Sequence, residues 1–178
     1  LGNSHRIWNA QSGGMTLDIA MYMAHLGSIA YSNQKLLSVS AMGTLQHGVD
    51  HTVLANLRYE TGFLQFYITG TANTEERVAI QGSNGRIVLD PPAHTPERVR
   101  LFRDRGRGKF EETVFDFSLP QEDSKYQWNY PGSIGFVYEI DAVSKALSEN
   151  RLECPDFTHD ESLQVAMILD EIRRQVGA

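Results

Sequence analysis

The sequence predicts an α+β fold with a predominantly antiparallel sheet. Apolar residues recur at helical spacing near the start of the chain and in two stretches at its end. Between them lie about seven segments with strand-like alternation. The loops that join these segments are too short for parallel crossovers, so neighbouring strands are expected to run antiparallel.

Composition favours one folded domain. The 178 residues, 41% hydrophobic and 21% charged, suit a single α+β domain over 1–178. The 16 Lys and Arg residues against 22 Asp and Glu give a net charge of −6, which argues against a nucleic-acid partner. No apolar run approaches the roughly 20 residues of a membrane span. The single cysteine, Cys154, cannot form an internal disulfide, and we expect a cytoplasmic protein.

A glycine pair, Gly13 and Gly14, opens the stretch from which the site prediction starts. Residues 13–26 have the pattern of a short amphipathic helix, and Gly27 is predicted as its C-cap. Glycine lacks a Cβ, so this pair would let the backbone approach a ligand closely.

Three polar side chains on this helix form a candidate catalytic set. Asp18, Tyr22 and His25 stand at i, i+4 and i+7 and would share one face of an α-helix. A carboxylate, a phenol and an imidazole can transfer protons. The same spacing is also typical of the solvated face of an amphipathic helix, and spacing alone favours that interpretation.

The middle of the chain is predicted to be a meander. The Asn84-Gly85 pair is a strong hairpin signal. The third strand is apolar on both faces, which is typical of a central strand in a sandwich or of a strand covered by a partner. The predicted strands cover residues 36–44, 50–59, 63–71, 76–81, 86–90, 99–103 and 110–118.

The end of the chain is predicted to be helical. Apolar residues repeat at helical spacing over 134–149. A second helix follows a capping box in which Thr158 is the N-cap and Glu161 the N3 residue, and Gly177 ends it.

Other candidate sites have weaker support. His47, Asp50 and His51 are close in sequence, but their positions at a turn and a strand start favour a structural or solvated role over metal binding. The basic run at 98–109 is interrupted by Asp104 and reads as a solvated hairpin tip. No Gly-x-Gly-x-x-Gly follows a strand and opens a helix, so no dinucleotide site is visible.

Four motifs in order carry a family resemblance. They are the Gly-Gly-x-x-x-Asp helix, Ile80-Gln81-Gly82-Ser83-Asn84-Gly85-Arg86-Ile87, Tyr138-Glu139-Ile140-Asp141-Ala142-Val143, and Glu161-Ser162-Leu163. In this order they resemble the C-terminal domain of the glucose-fructose oxidoreductase / inositol dehydrogenase (Gfo/Idh/MocA) family, and most of all its dihydrodiol dehydrogenase-like branch. The resemblance implies an open sheet with helices packed on one face, and an N-terminal Rossmann domain elsewhere in the protein.

The resemblance also implies roles for individual residues. Asp18 matches the family aspartate and Tyr22 the His or Tyr four residues on, which work with a lysine of the first domain. Gly13, Gly14 and His25 are expected beside the substrate, although His25 lies outside the family pattern. Ala20 replaces a common glycine. A phenol of ordinary pKa about 10 needs a nearby cation to act as a base, so this chain alone is expected to be inactive.

The function implied is that of a substrate-binding and oligomerisation domain in an oxidoreductase. Its substrate would be the hydroxyl of a sugar, cyclitol or diol, and its cofactor NAD or NADP, bound mostly by the first domain and not by this chain alone. A homodimer or higher homo-oligomer would form through the sheet face. The alternative is a non-catalytic module that dimerises through its sheet or binds a ligand.

Overall fold

A computed structural model describes residues 6–32, 34–121, 125, 128 and 132–178 of the chain. A 3₁₀ turn at Arg6–Trp8 is followed by a π-helix at Thr16–Ala20, which leads directly into helix α1 (Met21–Ala30). The remaining elements are β1 (Leu36–Gln46), β2 (Val49–Tyr59), β3 (Phe63–Thr69), β4 (Val78–Gly82), β5 (Gly85–Leu89), β6 (Arg98–Asp104), β7 (Phe110–Asp116), a 3₁₀ turn at Ser133–Gly135, α2 (Phe136–Ser148) and α3 (His159–Val176).

The seven strands form two antiparallel sheets. One has the order β1-β2-β3 and the other the order β4-β5-β6-β7. Each sheet lies in its own compact unit: the first unit comprises Leu1–Thr74 and Phe157–Ala178, and the second comprises Glu75–Asp156. The predicted α+β class with open antiparallel sheet structure is confirmed. Within the described ranges, no helix combines the length and apolar character of a membrane span.

The core of the first unit lies between one face of its sheet and the helices. Val53, Ala55 and Leu57 of β2 alternate toward this side and are fully buried. Across from them α3 presents an apolar stripe at helical spacing. The core residues from the helical elements include Ala20, Ala24, Val165, Ile168, Leu169 and Ile172.

The opposite side of this sheet carries exposed apolar side chains. Met42, Leu54 and Tyr67 are direct neighbours across β1, β2 and β3, so they point to the same side. Phe63 lies farther along that side of β3. We call these four residues the open face; Phe63 is 68% exposed and Met42 67%.

The third strand differs in part from its prediction. β3 buries Phe66 and Ile68 and exposes Phe63 and Tyr67. Among the described strands β3 pairs only with β2, at the edge of its sheet, so the first of the two alternatives, a central strand, is wrong. Coverage of its exposed side by a partner stays a prediction.

The predicted signals at both ends of α3 are confirmed. Thr158 Oγ1 accepts from the Glu161 N–H at 3.3 Å, and the Thr158 N–H donates to Glu161 Oε2 at 2.9 Å. The Thr158 N–H and the Thr158 hydroxyl both donate to the Glu161 carboxylate, and these two bonds lower the pKa of Glu161. Gly177 ends the helix with φ of +85°, a conformation in which glycine pays no Cβ penalty.

In the second unit, β4 and β5 form the predicted hairpin around Asn84 and Gly85. The guanidinium of Arg86 lies 4.3 Å from the ring centre of Phe102 and 4.8 Å from that of Phe110. In the basic run, Arg98 Nε donates to Asp116 at 2.7 Å. The 98–109 segment therefore carries part of its positive charge in local ion pairs, as expected of a hairpin.

Gly27 is not the C-cap that the sequence predicted. Helix α1 continues to Ala30, and Gly27 is buried within it. A Cβ at this position would lie 2.5 Å from Tyr59 Oη and 3.1 Å from Leu64 Cδ2. Glycine is needed at this position because α1 approaches the sheet closely, and not because the helix ends here.

Candidate active site

The two predicted catalytic residues lie on one continuous helical segment. Asp18 is in the π-helix at Thr16–Ala20, and its side chain is 21% exposed. Tyr22 is in the first turn of α1 and is 42% exposed. Both side chains are therefore within reach of a small molecule.

The π-helix changes the angular relation between these residues. In an α-helix of 3.6 residues per turn, positions four apart are offset by about 40° around the axis. A π-turn holds more residues, so each residue advances by a smaller angle. Since Asp18 lies within the π-helix, the offset between Asp18 and Tyr22 is smaller than the α-helical spacing predicts.

Arg6 is a residue of this site that the sequence analysis missed. Its Nη2 forms an ion pair with Asp18 Oδ1. The turn that carries Arg6 is anchored by Ile7, which is 6% exposed, and by Trp8, whose ring stacks on His51 at 5.4 Å between centroids. The exposed guanidinium thus brings a positive charge next to the candidate carboxylate.

The glycine pair lies against the protein's own chain. A Cβ on Gly13 would clash with the backbone of Ile7 and would lie 2.7 Å from Asn9 O. Gly14 has φ of +96°, and a Cβ there would clash with Asp50 Oδ1. Both positions require glycine because the Arg6 turn and Asp50 approach the start of the helix.

Asp50 is the second residue that the sequence analysis did not place in the site. Its carboxylate is 1% exposed, and Oδ2 accepts from the Thr16 N–H at 2.6 Å. The first amides of a helix have no partner within the helix, and a carboxylate there also interacts favourably with the helix dipole. Asp50 therefore caps the segment from a distant strand.

His25 has different neighbours from Asp18. Its ring packs edge-on against Phe157 with 4.5 Å between centroids, and its charge contributes to lowering the pKa of Glu161. Its Nδ1 is buried and has no hydrogen-bond partner within the described part of the chain. The structure thus places His25 against the start of α3, whereas Asp18 pairs with Arg6.

The two histidines that the sequence analysis considered for metal binding pack against an aromatic ring. His51 is 8% exposed and stacks on Trp8, and His47 packs edge-on against the same ring at 5.3 Å. Among the residues the structure describes, no group of three or more His, Cys, Asp and Glu side chains could hold a metal ion.

Known proteins share this architecture over nearly the whole chain. No protein-family model matches the sequence. The trans-1,2-dihydrobenzene-1,2-diol dehydrogenase of Sus scrofa is 31% identical over 170 residues, which are 94% of this chain and 48% of that protein. The scyllo-inositol 2-dehydrogenase (NADP(+)) IolU of Bacillus subtilis is 30% identical over 169 residues, 93% of this chain and 45% of that protein.

A solved structure shows the same fold. The aldose-aldose oxidoreductase from Caulobacter crescentus, complexed with glycerol, matches with a TM-score of 0.70 at 15% identity, covering 99% of this chain and 50% of that chain. The fold is thus that of one half of such an oxidoreductase. These similarities support the resemblance to the Gfo/Idh/MocA family that the motifs indicated. It spans about half the length of the curated relatives it matches.

Proposed function

We propose that this chain is the substrate-binding and oligomerisation domain of an NAD(P)-dependent oxidoreductase that acts on the hydroxyl of a sugar, cyclitol or diol. The observation that carries the proposal is the pairing of Asp18 and Tyr22 on one accessible helical segment. The names of the relatives, which refer to a diol, an inositol and aldoses, support the substrate class.

In this proposal the residues of the segment have separate tasks. The Tyr22 hydroxyl exchanges a proton with the substrate hydroxyl. Asp18 accepts a hydrogen bond from the substrate or holds a neighbouring cation, as it holds Arg6 in this structure. Gly13 and Gly14 serve the site by allowing the close packing at the start of the segment, and His25 is the third polar residue available to a substrate.

The described residues do not fit a dinucleotide cofactor. Such cofactors bind where parallel strands feed helices, with the pyrophosphate at a helix N-terminus. The sheets here are antiparallel, and the N-terminus of the segment is filled by the Asp50 carboxylate, which would repel a phosphate. We therefore propose that NAD or NADP is held mainly by other residues of the full-length protein.

The test is turnover by the full-length protein with and without the Tyr22 hydroxyl. Diols, cyclitols and aldoses are offered with NAD⁺ or NADP⁺, and reduced nicotinamide is followed by absorbance. Tyr22→Phe is expected to lower kcat by about 100-fold or more, because a proton-transfer group is lost, and to change KM by less than about threefold.

The matched control is Tyr138→Phe, which removes a hydroxyl from a tyrosine that is 55% exposed on α2. It should retain the wild-type kcat. An unchanged kcat in Tyr22→Phe would remove Tyr22 from the mechanism, and no turnover of any of these substrates by the wild type would contradict the oxidoreductase proposal.

The open face carries the oligomerisation part of the proposal. It presents Met42, Phe63 and Tyr67 to solvent on the side of the sheet opposite the core of the first unit. We propose that two copies of the protein associate through it. The same face also fits the alternative, a non-catalytic module that dimerises, and that alternative predicts a dimer without turnover.

A further inference from the structure

We propose that Asp50 is a positioning residue for Asp18 and Tyr22: its carboxylate fixes the first turn of the helical segment that carries both. The inference rests on the proposed function. It adds to the site a residue that makes no contact with the substrate and acts through the backbone of Thr16.

A β-bulge in β2 turns the Asp50 side chain toward the start of the helical segment. Thr44 of β1 pairs with Thr52, whereas the next residue, Leu45, pairs with Asp50, so His51 is one extra residue in β2. By strict alternation Asp50 would share a side with Thr52, the side of the open face. The extra residue reverses its direction, as bulges do when they redirect a side chain.

The redirected carboxylate is tightly enclosed. Asp50 is 1% exposed, and Thr16 is fully buried. One oxygen accepts from the Thr16 N–H at 2.6 Å, and the other lies against Gly14, where no larger residue fits. Among the described residues, the Oδ1 atom has no hydrogen-bond partner. If the hydrogen bond to Thr16 breaks, the buried Asp50 carboxylate loses its backbone donor. Breaking or distorting this bond therefore costs free energy.

The hydrogen bond between Thr16 and Asp50 lies close to Asp18 and Tyr22 along the chain, so it can affect how both side chains are oriented. Thr16 is the first residue of the π-helix, two residues before Asp18 and six before Tyr22. Opening the bond releases the turn that sets the direction of the Asp18 side chain and its relation to Tyr22. A displacement of about 1 Å in a reacting group can cost about 100-fold in rate.

The test uses the full-length protein with Asp50→Ala, which removes the acceptor, and Asp50→Asn, which keeps an oxygen at that place. Exchange of the amides in the segment is followed by hydrogen-exchange mass spectrometry, and kcat and KM are measured where circular dichroism shows each variant folded. In Asp50→Ala the backbone amides around Thr16 should exchange about tenfold faster. The kcat should fall by about tenfold or more, and KM should change by less than about threefold. Asp50→Asn should lie between Asp50→Ala and the wild type in both measurements, because an amide oxygen accepts a weaker hydrogen bond than a carboxylate.

The matched control is Thr158→Ala, which removes the N-cap acceptor from α3. It should speed exchange at the start of α3 and leave kcat unchanged, which separates positioning from general loss of stability. Wild-type kcat in a folded Asp50→Ala would overturn the inference. If Asp50→Ala does not fold, Asp50→Asn decides: faster exchange at Thr16 with a kcat lowered about threefold supports the inference, and wild-type values of both overturn it.

Failure of the proposed function would give a different result. A wild-type protein that turns over none of the offered substrates contradicts the oxidoreductase proposal and removes the kinetic comparison. The exchange measurement then decides by itself whether Asp50 holds the segment: unchanged exchange at Thr16 in Asp50→Ala would overturn the inference, and faster exchange confined to the segment would support it.

Discussion

Tyr59 holds the far end of the helical segment, as Asp50 holds its beginning. The Tyr59 ring stacks on Tyr31 with 4.4 Å between centroids, and the residue is 5% exposed. Burial, together with the charge of Tyr31, raises the pKa of Tyr59. Gly27 of α1 lies directly against its hydroxyl. One strand therefore fixes both ends of the segment that carries the candidate site.

Gly27→Ala tests how closely this helix lies on the strand. Alanine favours a helix over glycine by about 1 kcal/mol, but a methyl group 2.5 Å from Tyr59 Oη is overpacked, which costs about 1–3 kcal/mol. Since the Tyr59 ring is buried and stacked on Tyr31, we expect the free energy of unfolding to fall by about 1 kcal/mol. Urea unfolding followed by fluorescence measures it.

The control for this prediction is a double-mutant cycle. In a Tyr59→Phe background the hydroxyl is gone, so Gly27→Ala should cost less than it does in the wild type. An equal cost in both backgrounds would show that the strain arises elsewhere.

At the residue scale, the sequence predicted the groups that have a local pattern. Asp18 and Tyr22 were predicted from their spacing together with the family motif, and their roles stay predictions. Asp50 was not placed in the site because it contacts Thr16 across 34 positions and because its direction depends on a bulge. The available signal was a carboxylate at the start of a strand with a buried side, since a buried charge needs a partner.

Helix α3 protects an edge of the sheet through one side chain. Gln175 Nε2 donates to Val39 O at 2.9 Å, and the Ala41 N–H donates to Gln175 Oε1 at 2.7 Å. These backbone groups belong to β1, an edge strand. Gln175 Nε2 also donates to Glu171 Oε1 at 2.6 Å, and this bond holds the Gln175 side chain in place. Satisfying edge groups in this way blocks pairing with a further strand.

The ionisation of Glu171 gives this arrangement a pH dependence. Hydrogen bonds from Arg174 and Gln175 lower the pKa of Glu171 from 4.5 to about 2. A carboxyl whose pKa is lower in the folded than in the unfolded state stabilises the fold. The stabilisation is complete at pH values above the pKa of the unfolded state, and it is lost as the pH falls through the pKa of the folded state. The stabilisation by Glu171 should therefore disappear between pH 4.5 and about 2.

Glu171→Gln is the variant that isolates this effect. Urea unfolding of wild type and variant is compared at a series of pH values. The wild type should be more stable above pH 4.5, and its advantage should shrink as the pH falls toward about 2. A difference that stays constant over this range would contradict the assignment.

Elements with local signals were predicted well. The capping box at Thr158, the cap at Gly177 and the hairpin at Asn84 each depend on residues within a few positions of one another. The π-helix and the bulge were not predicted, because both are departures from a regular period and depend on contacts with the rest of the fold. The same holds for Gly27, whose burial depends on Tyr59.

At the scale of the whole molecule, the open face determines how copies of the protein could associate. Its row of Met42, Leu54 and Tyr67 crosses all three strands. A stable interface buries about 800 Å² per partner, which requires most of such a face. Gln175 closes the β1 edge to further strand pairing, so association through the face is favoured over extension of the sheet at β1.

Met42→Lys combined with Tyr67→Lys tests this association in the full-length protein. Two lysines at the centre of an apolar interface would have to be desolvated, so the dimer should dissociate at concentrations at least about tenfold higher than the wild type does. Sedimentation velocity over a dilution series measures the change. Leu152→Lys is the control, since Leu152 is 94% exposed in the second unit and should leave the mass unaltered. A wild type that is monomeric throughout would contradict the dimer.

The direction of Asp50 also restricts how the length of β2 can vary. Removing the bulge residue His51 would leave Asp50 directly before Thr52, where regular alternation points it to the same side as the bulge does, so the restriction lies in the regular part of the strand. An insertion between Thr52 and Tyr59 would reverse one end of β2 relative to the other, so the strand could not hold Thr16 and Gly27 together. Hairpin tips such as Gly106–Gly108 can vary in length, whereas the number of residues from Thr52 to Tyr59 is restricted.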